Sequence, residues 1–365
     1  MKVMLVVTSL MGAGHLQRTL ILARALAGVG ATPMVVSGGR TIPHLDHTGV
    51  RLEQLPPVYS DGIDYSRLMT PQGEASAEWL AVRQARLVEL AEDFGPDIVV
   101  TELFPFGRRI LHAEFLALFA ALKPGVHVAA SIRDVLEPKK KAKRLAETAE
   151  RLRAHYDLVL VHGEERLTPL ALTWPPASEL AAMIRYTGYV AAPPPDPIPS
   201  DEILVAVGGG VIGDALVAAA IAAARRSDHP WRIRVGGPDA AARIARFVAE
   251  ARGAAIIESP APDYRARLGG AACSVSLFGY NTATDIMFAE TPAVIAPMAE
   301  GEEYEQRIRA DAFRGQSGFT IVDEPTPDAL LAAVEVACAG EPPERAAFNL
   351  SGADTAASLL AGLIS

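Results

Sequence analysis

Short, continuously apolar runs alternate with stretches of helical period along this chain, and they do so twice, on either side of a break crowded with proline. Residues 2–8, 32–37, 97–101, 126–130 and 157–161 are strand-length apolar runs, and residues 16–29 carry apolar side chains at helical spacing. Strands alternating with helices build a parallel sheet covered by helices on its faces. Runs that are apolar throughout, rather than at every second position, fit strands buried on both sides. Residues 191–200 then hold Pro193, Pro194, Pro195, Pro197 and Pro199, which suits neither helix nor central strand and predicts a stiff linker. Beyond it the alternation restarts, with strands predicted at 202–207, 231–235, 255–258, 272–276 and 293–296 and a helix over 214–226.

The predicted fold is α/β, with two Rossmann-like, doubly wound domains facing each other across a cleft. The boundaries are 1–190, the linker 191–200, 201–350, and a terminal helix in 351–365 that can pack back on the first domain. A chain of 365 residues is long enough for two cores. Residues 56–73, with Pro56, Pro57, Gly62, Pro71 and Gly73, read as a long irregular loop.

Composition removes several function classes. The net charge of −9 leaves no chain-wide basic footprint, so no nucleic-acid partner is expected. The one basic run is Lys139-Lys140-Lys141 with Lys143 and Arg144. It reads either as weak contact with an anionic membrane surface or as a solvated helix face balanced by Glu147 and Glu150. Two cysteines, Cys273 and Cys338, with no Cys-x-x-Cys spacing, suggest neither a disulfide framework nor a thiolate metal site. The apolar start is too short for a signal peptide, and no run reaches the roughly 18 apolar residues of a membrane span. A cytoplasmic location is expected.

Three strand-to-helix turns could carry chemistry. In Ser9-Leu10-Met11-Gly12-Ala13-Gly14-His15 the glycines let a ligand approach the backbone, and the turn is neither a P-loop nor a full dinucleotide fingerprint. Its unusual member is His15 at a helix mouth, where the dipole favours a neutral imidazole able to take a proton from a hydroxyl; the bland alternative is a capping or solvated histidine. The turn Gly208-Gly209-Gly210-Val211-Ile212-Gly213 formally matches Gly-x-Gly-x-x-Gly, but no acid ends the next strand, so diphosphate binding is the better reading than a nicotinamide site. In Phe278-Gly279-Tyr280-Asn281-Thr282-Ala283-Thr284-Asp285, Asn281 or Thr282 could cap the helix, whose amides would face a departing diphosphate. Asp285 could bind ribose hydroxyls, or Thr282 and Asp285 could form a box of capping residues.

Further candidates sit at strand ends. Glu102 closes a strand and could serve as base, bind the acceptor, or pair with Arg108 or Arg109. Arg133-Asp134 has the same placement. The apolar stretch 103–106 beside Glu102 suggests a bulky acceptor. Glu305 or Gln306, after the polar segment 300–304, could reach a donor sugar. No Asp-x-Asp tripeptide occurs, so no metal-chelated diphosphate is expected and no metal ligand is assigned.

These turns and the segment 279–292 followed by Glu305-Gln306 resemble the GT-B-fold glycosyltransferases related to the peptidoglycan N-acetylglucosaminyltransferase. The segments 101–109, 131–134 and 158–163 look closer still to a bacterial branch of predicted glycosyltransferases. The resemblance covers nearly the whole chain. It implies an inverting, metal-independent transfer of a sugar from a nucleotide sugar, usually a UDP-sugar, to a hydroxyl acceptor that is a small molecule or lipid-linked. By position it matches His15 to the histidine after the first glycine turn, Gly279, Tyr280, Asn281 and Thr282 to a diphosphate-contacting helix start, Asp285 to a ribose-binding acid and Gln306 to a sugar-contacting glutamine. Read together with the turns and strand ends above, the catalytic candidates are His15 and Glu102, the donor candidates add Gly209, Gly210 and Glu305, and the acceptor candidates are Gly14, Arg108 and Arg133. The nucleotide sugar would be a co-substrate, and no cofactor is expected. The sequence departs from the family in having Gly210-Val211-Ile212 where Ser and Gln are usual, and Asp285 for the usual Glu. A nucleotide-sugar hydrolase, a UDP-sugar C2-epimerase and a non-catalytic sugar-nucleotide binding protein are the alternative readings on the same architecture.

Overall fold

A computed structural model of the chain describes residues 1–43, 45–60, 67–138, 142–207, 213–237, 239–297 and 304–364. The chain divides into two compact units, Met1–Val190 with Ser351–Ser365, and Ala191–Leu350.

The first unit is built on a seven-stranded parallel sheet. Its strands are β1 (Lys2–Val7), β2 (Thr32–Ser37), β3 (Arg51–Gln54), β6 (Ile98–Glu102), β7 (His127–Arg133), β8 (Leu158–His162) and β9 (Ile184–Tyr186). A small antiparallel pair, β4 (Met69–Thr70) and β5 (Gly73–Glu74), stands apart. The sheet order is β3-β2-β1-β6-β7-β8-β9, so winding starts at β1, runs to one edge, then returns to cover the other half. Strands β1 and β6 therefore lie side by side while their outgoing connections diverge, which opens a crevice at their carboxyl ends.

Side-chain parity along these strands assigns the two cores. Met4 and Val6 of β1 face a core completed by α2 (Ala77–Phe94) and α3 (His112–Ala121). Val3, Leu5 and Val7 face the opposite core, which α1 (Gly14–Gly28) and α11 (Gly352–Ala361) complete through Leu16, Leu20, Ala356 and Leu360. The terminal helix thus belongs to the first unit. Its opening fits because Gly352 has no side chain: a Cβ there would overlap the carbonyls of Gly188 and Tyr189.

Two expectations fail. The stretch 103–106 is not an acceptor surface. Phe104 stacks on Phe115 at 4.2 Å and Phe106 meets Trp174 edge-on at 5.0 Å, both rings within the core. The loop 56–73 is ordered at both ends, with Tyr59 bridged to Met69 and β4 paired to β5 across a turn at Pro71-Gln72, after which Gly73 opens β5 at a φ of 122°. Residues 61–66 lie outside the described residues. The sequence also gave no warning of β3, β9 and the last strand of the second unit, which are short and only partly apolar.

The second unit carries β10 (Ile203–Ala206), β11 (Trp231–Arg234), β12 (Ile256–Glu258), β13 (Cys273–Ser276), β14 (Ala293–Ile295) and β15 (Phe319–Ile321). Its order, β12-β11-β10-β13-β14-β15, repeats the doubly wound plan, with the reversal now between β10 and β13. Helices α5 (Asp214–Ala224), α6 (Ala240–Ala251) and α10 (Pro327–Ala339) contribute to the core. The remaining helices are α7 (Tyr264–Gly270), α8 (Tyr280–Ala289) and α9 (Glu305–Phe313), and α4 (Ala142–His155) completes the first unit. The proline-rich segment is extended and bonded along α7, with Ile198 N donating to Ala266 O and Ser200 N to Gly270 O. No described helix is long and apolar enough to cross a membrane.

One fully buried cation ties the first unit together. Arg83 of α2 donates to both oxygens of Glu114, to Gly38 O and Pro56 O, and to Thr8 Oγ1. A Cβ at Gly38 would overlap its guanidinium. Removing one partner of a buried, hydrogen-bonded ion pair strands the other charge. Arg83→Ala should therefore cost about 3–5 kcal/mol of unfolding free energy, read from urea unfolding; a loss no larger than that of a surface arginine would contradict this account.

Candidate active site

The crevice at the carboxyl ends of β1 and β6 holds His15 and Glu102. Strand parity explains why. In β6 the α1-facing row runs Ile98, Val100, Glu102; in β7 it runs Ala129, Ser131; in β8 it runs Leu158, Leu160, His162. The β6 and β8 rows are apolar until their last position; β7 runs from His127 to Arg133, and Ser131 is its polar member beside Glu102. Glu102 and Ser131 are also register partners, so their side chains stand next to one another. Above them lies α1, which brings Arg18 and, from its first turn, His15.

Glu102 is 3% exposed and is satisfied on all sides. Its Oε1 lies 2.9 Å from His15 Nδ1 and also accepts from Arg18 Nη2; its Oε2 accepts from Ser131 Oγ at 2.7 Å. Burial pushes its pKa up, but Arg18, His15 and Ser131 together outweigh that and hold the carboxyl well below the usual range. The expected pairing with Arg108 or Arg109 does not occur. Arg109 instead pairs with Glu147, and Arg108 Nε donates to Thr8 O at 2.7 Å, bracing the strand end that leads into the glycine turn. Glu147 is thereby committed to Arg109 rather than to the basic run; Lys139, Lys140 and Lys141 lie outside the described residues.

His15 is the more accessible member, with a side chain 15% exposed. Burial lowers its pKa to about 3; the hydrogen bond to Glu102 opposes this, and Arg108 and Arg18 add to it. The ring is thus neutral at ordinary pH. A carboxylate can only accept, so the proton of the neutral ring sits on Nδ1 and Nε2 is bare. His15 does not cap α1, which has no side-chain cap. Gly14 opens the helix beside it. Arg133 closes β7, half-buried, with Asp134 buried next to it. These positions put Gly14, Arg108 and Arg133 on the same carboxyl rim as His15.

In the second unit the described part of the rim is the turn from β13 into α8. The helix begins at Tyr280, with Gly279 as N-cap and no side-chain cap, so neither Asn281 nor Thr282 caps it. Both lie inside the first turn, where helix geometry gives their amides no intrahelical acceptor; the first α-helical bond of α8 is Ala283 N to Gly279 O, 3.0 Å. Asp285 does not close a capping box either. Its Oδ1 accepts from Arg265 Nε at 2.7 Å, and Arg265 also holds the carbonyls of Ala192 and Pro193. Burial raises the Asp285 pKa to about 6 against the opposing pull of Arg265.

Helix α9 clamps this turn. Gln306 Oε1 accepts from Phe278 N at 3.3 Å, and the fully buried Arg309 donates to Phe278 O at 2.6 Å. Phe278 itself packs edge-on against Phe313 at 5.1 Å. Glu305, the other acceptor on this face of α9, takes a hydrogen bond from Arg309 Nη2 at 2.8 Å. Gly209 and Gly210 lie outside the described residues, as do residues 300–303.

No family model matches the chain, and no curated protein matches it by sequence. Solved structures do. The glycotransferase of kitacinnamycin superposes with a TM-score of 0.67 at 17% identity, covering 100% of this chain and 99% of that one. MurG of Acinetobacter baumannii gives 0.61 at 14% identity, with 99% of each chain covered. The UDP-GlcNAc 2-epimerase of Methanocaldococcus jannaschii gives 0.63 at 11% identity, covering 99% of this chain and 100% of that one.

The chain has the GT-B fold. In its first unit, His15 and Glu102 meet where the sheet order reverses, between β1 and β6. Sequence reasoning found His15, Glu102 and Asp285 but assigned no role to Arg18, Ser131, His162, Arg265 or Arg309. The available signal was a polar residue directly after an apolar run, as Ser131 follows residues 128–130 and His162 follows residues 158–161. Arg18 gave none, because an arginine in a helix reads as solvated until the sheet beneath it is known.

The site fixes a direction for acid sensitivity. His15 and the fully buried His162 both have pKa values lowered by burial from 6.5 to about 3. Between those limits the unfolded chain binds protons that the folded one does not, so stability falls as pH drops from 6.5 toward 3. The depressed Glu102 adds to the loss below its unfolded value of 4.5. Asp285, raised from 3.8, works in the opposite sense in the second unit. In a Trp231→Phe background, fluorescence reports only Trp79 and Trp174 of the first unit. The urea midpoint seen by that probe should fall steadily from pH 7 to pH 5; a constant midpoint would contradict neutral burial of the two rings.

Proposed function

We propose that this protein is a glycosyltransferase that moves a sugar from a nucleotide-sugar donor to a hydroxyl acceptor, with inversion and without a metal. The observation that carries this reading is the His15–Glu102 pair at the reversal of the first sheet, Nδ1 to Oε1 at 2.9 Å. A neutral imidazole with a bare Nε2 is a general base, and the carboxylate behind it stabilises the imidazolium that forms as an acceptor hydroxyl gives up its proton. Glu102 acts on this view through His15, since a buried carboxylate already holding Arg18 and Ser131 is a poor base itself.

The donor is assigned to the second unit. The uncapped first turn of α8, with Gly279, Tyr280, Asn281 and Thr282, offers amides and a helix dipole to a leaving diphosphate, which supplies charge stabilisation without an ion. A Cβ added at Gly279 would meet open space, so a ligand can approach the backbone there. Arg265 occupies Asp285 Oδ1, and among the described residues nothing bonds Oδ2, which suits a ribose hydroxyl. Gln306 holds the turn through Phe278 N. The nucleotide sugar is consumed as a substrate, UDP being the expected nucleotide, and no resident cofactor is called for. Gly14, Arg108 and Arg133 are the acceptor-side residues, for a small-molecule or lipid-linked acceptor.

The likeness to a UDP-GlcNAc 2-epimerase favours C2 epimerisation of a UDP-sugar as a second reading. Incubation with UDP-sugars, with and without acceptor extracts, separates the outcomes by mass spectrometry and NMR of the products. A new glycoside supports transfer, a C2-inverted UDP-sugar supports epimerisation, free sugar marks a hydrolase, and binding without turnover marks a sensor. For the transferase, His15→Ala should lower kcat by about 100- to 10,000-fold while leaving the thermal shift by the nucleotide intact. Asp285→Ala should do the reverse, weakening nucleotide binding by roughly ten- to a hundredfold, the worth of a hydrogen bond to a charged group. Equal stabilisation of the Asp285→Ala and unaltered proteins by the same nucleotide would remove Asp285 from the ribose role.

A further inference from the structure

Behind His15 and Glu102 lies a chain of buried polar groups that the proposed transfer does not itself consume. Ser131 Oγ is 2.7 Å from Glu102 Oε2 and 2.9 Å from His162 Nε2; His162 Nδ1 is 2.9 Å from Thr187 Oγ1. Glu102, Ser131, His162 and Thr187 are all buried.

The protons of this chain can be assigned from valence alone. A carboxylate accepts only, so the single hydroxyl proton of Ser131 points to Glu102 Oε2. Ser131 Oγ must then accept from His162, which places the proton of that ring on Nε2. Burial keeps His162 neutral, so its Nδ1 is bare and faces the Thr187 hydroxyl, which also reaches Gly188 O at 2.8 Å. On the other side, Nδ1–H of His15 points to Glu102 Oε1. The contact of Arg18 Nη2 with His15 Nδ1, at 3.3 Å, is the longer one and cannot be a hydrogen bond in this state, because both atoms carry protons. The donors of His15, Ser131 and His162 thus run toward Glu102. The reversed arrangement, with Ser131 donating to His162, would set a Ser131 lone pair against a carboxylate oxygen at 2.7 Å in a buried site, which is repulsive.

We infer that Ser131 and His162 are positioning residues for His15: through Glu102 they hold its ring in the tautomer whose bare nitrogen is Nε2. This rests on the reading of His15 as the general base, and it adds a role for two residues that touch no substrate. Arg18 supplies the charge that keeps Glu102 ionised, but an arginine fork fixes only Oε1. The Ser131 hydroxyl fixes Oε2, and His162 dictates which way that hydroxyl turns. The carboxylate is then held at both oxygens and cannot rotate away from the imidazole.

The test is nitrogen-15 NMR of histidine-labelled protein without ligand, so it reads the network whether or not a sugar nucleotide proves to be the donor. His15→Gln and His162→Gln spectra assign the two rings among the eight histidines. The expected result is opposite tautomers: protonated Nδ1 on His15 and protonated Nε2 on His162. A proton on Nε2 of His15, or on Nδ1 of His162, overturns the inference without any variant needing to fold. In Ser131→Ala and His162→Leu the Nδ1 proton of His15 should exchange with water about tenfold faster, the weight of one lost hydrogen bond. Ser131→Thr and His162→Gln, which retain the hydroxyl and the donor, should keep the original exchange rate. Unchanged exchange in folded Ser131→Ala and His162→Leu proteins would also overturn it. A merely structural role for the pair would lower stability without moving this proton.

Discussion

A carboxylate that is 3% exposed survives in a protein only if the structure supplies counter-charge and donors, and Glu102 has both. Arg18 comes from the helix above, Ser131 from the neighbouring strand and His15 from the turn that opens α1. Each of these elements has its own reason to be there: β1 and β6 adjoin because the sheet reverses between them, and α1 covers the face on which the polar strand ends emerge. The ion pair does not create the fold. It sets the state of the carboxyl rim, because it orients a neutral histidine at a helix mouth through Nδ1. The same desolvation that lowers the pKa of His15 also makes the imidazolium dependent on Glu102 once a proton arrives.

The second unit presents backbone rather than side-chain groups at its described strand-to-helix turn. Helix α8 starts without a side-chain cap, and its opening turn is gripped from behind by α9 through Gln306, Arg309 and the packing of Phe278 on Phe313. Rigid amides cost less to orient around an anion than mobile lysines would. Arg309 and Glu305 pair within this scaffold, so the acid next to the turn is balanced. Arg265 is set in the same way, dividing its donors between Asp285 and the backbone of the proline-rich segment.

Much of the architecture was legible in the sequence. Continuous apolar runs gave the principal strands to within a residue or two, except that β7 runs three residues past its expected end, because a parallel strand buried on both faces has no polar alternation to blur it. The glycine turn before His15 and the turn into α8 were legible because a chain that must pass from strand to helix over a ligand leaves small residues there. Short edge strands such as β3 and β9 escaped, since Arg51–Gln54 and Ile184–Tyr186 are only partly buried and carry no distinct pattern. The phenylalanines at 104 and 106 were misread as a surface for the same reason that any apolar loop is ambiguous: composition does not say which side of the chain the core lies on.

By itself the sequence determined the period of each element, the double winding implied by that alternation, and which residue types sit at strand ends and helix mouths, because these depend on local backbone preference and on burial of neighbouring side chains. Only the tertiary structure decided partners. His15 and Glu102 are 87 positions apart, Arg18 and Glu102 84, and Ser131 and His162 31. Such contacts are fixed by strand order, register and the face each side chain takes, and none of these is written in any short stretch of chain. For that reason Glu102 could be named as a candidate from its place at a strand end, while the arginine that neutralises it and the serine and histidine that orient it emerged only once the sheet was assembled.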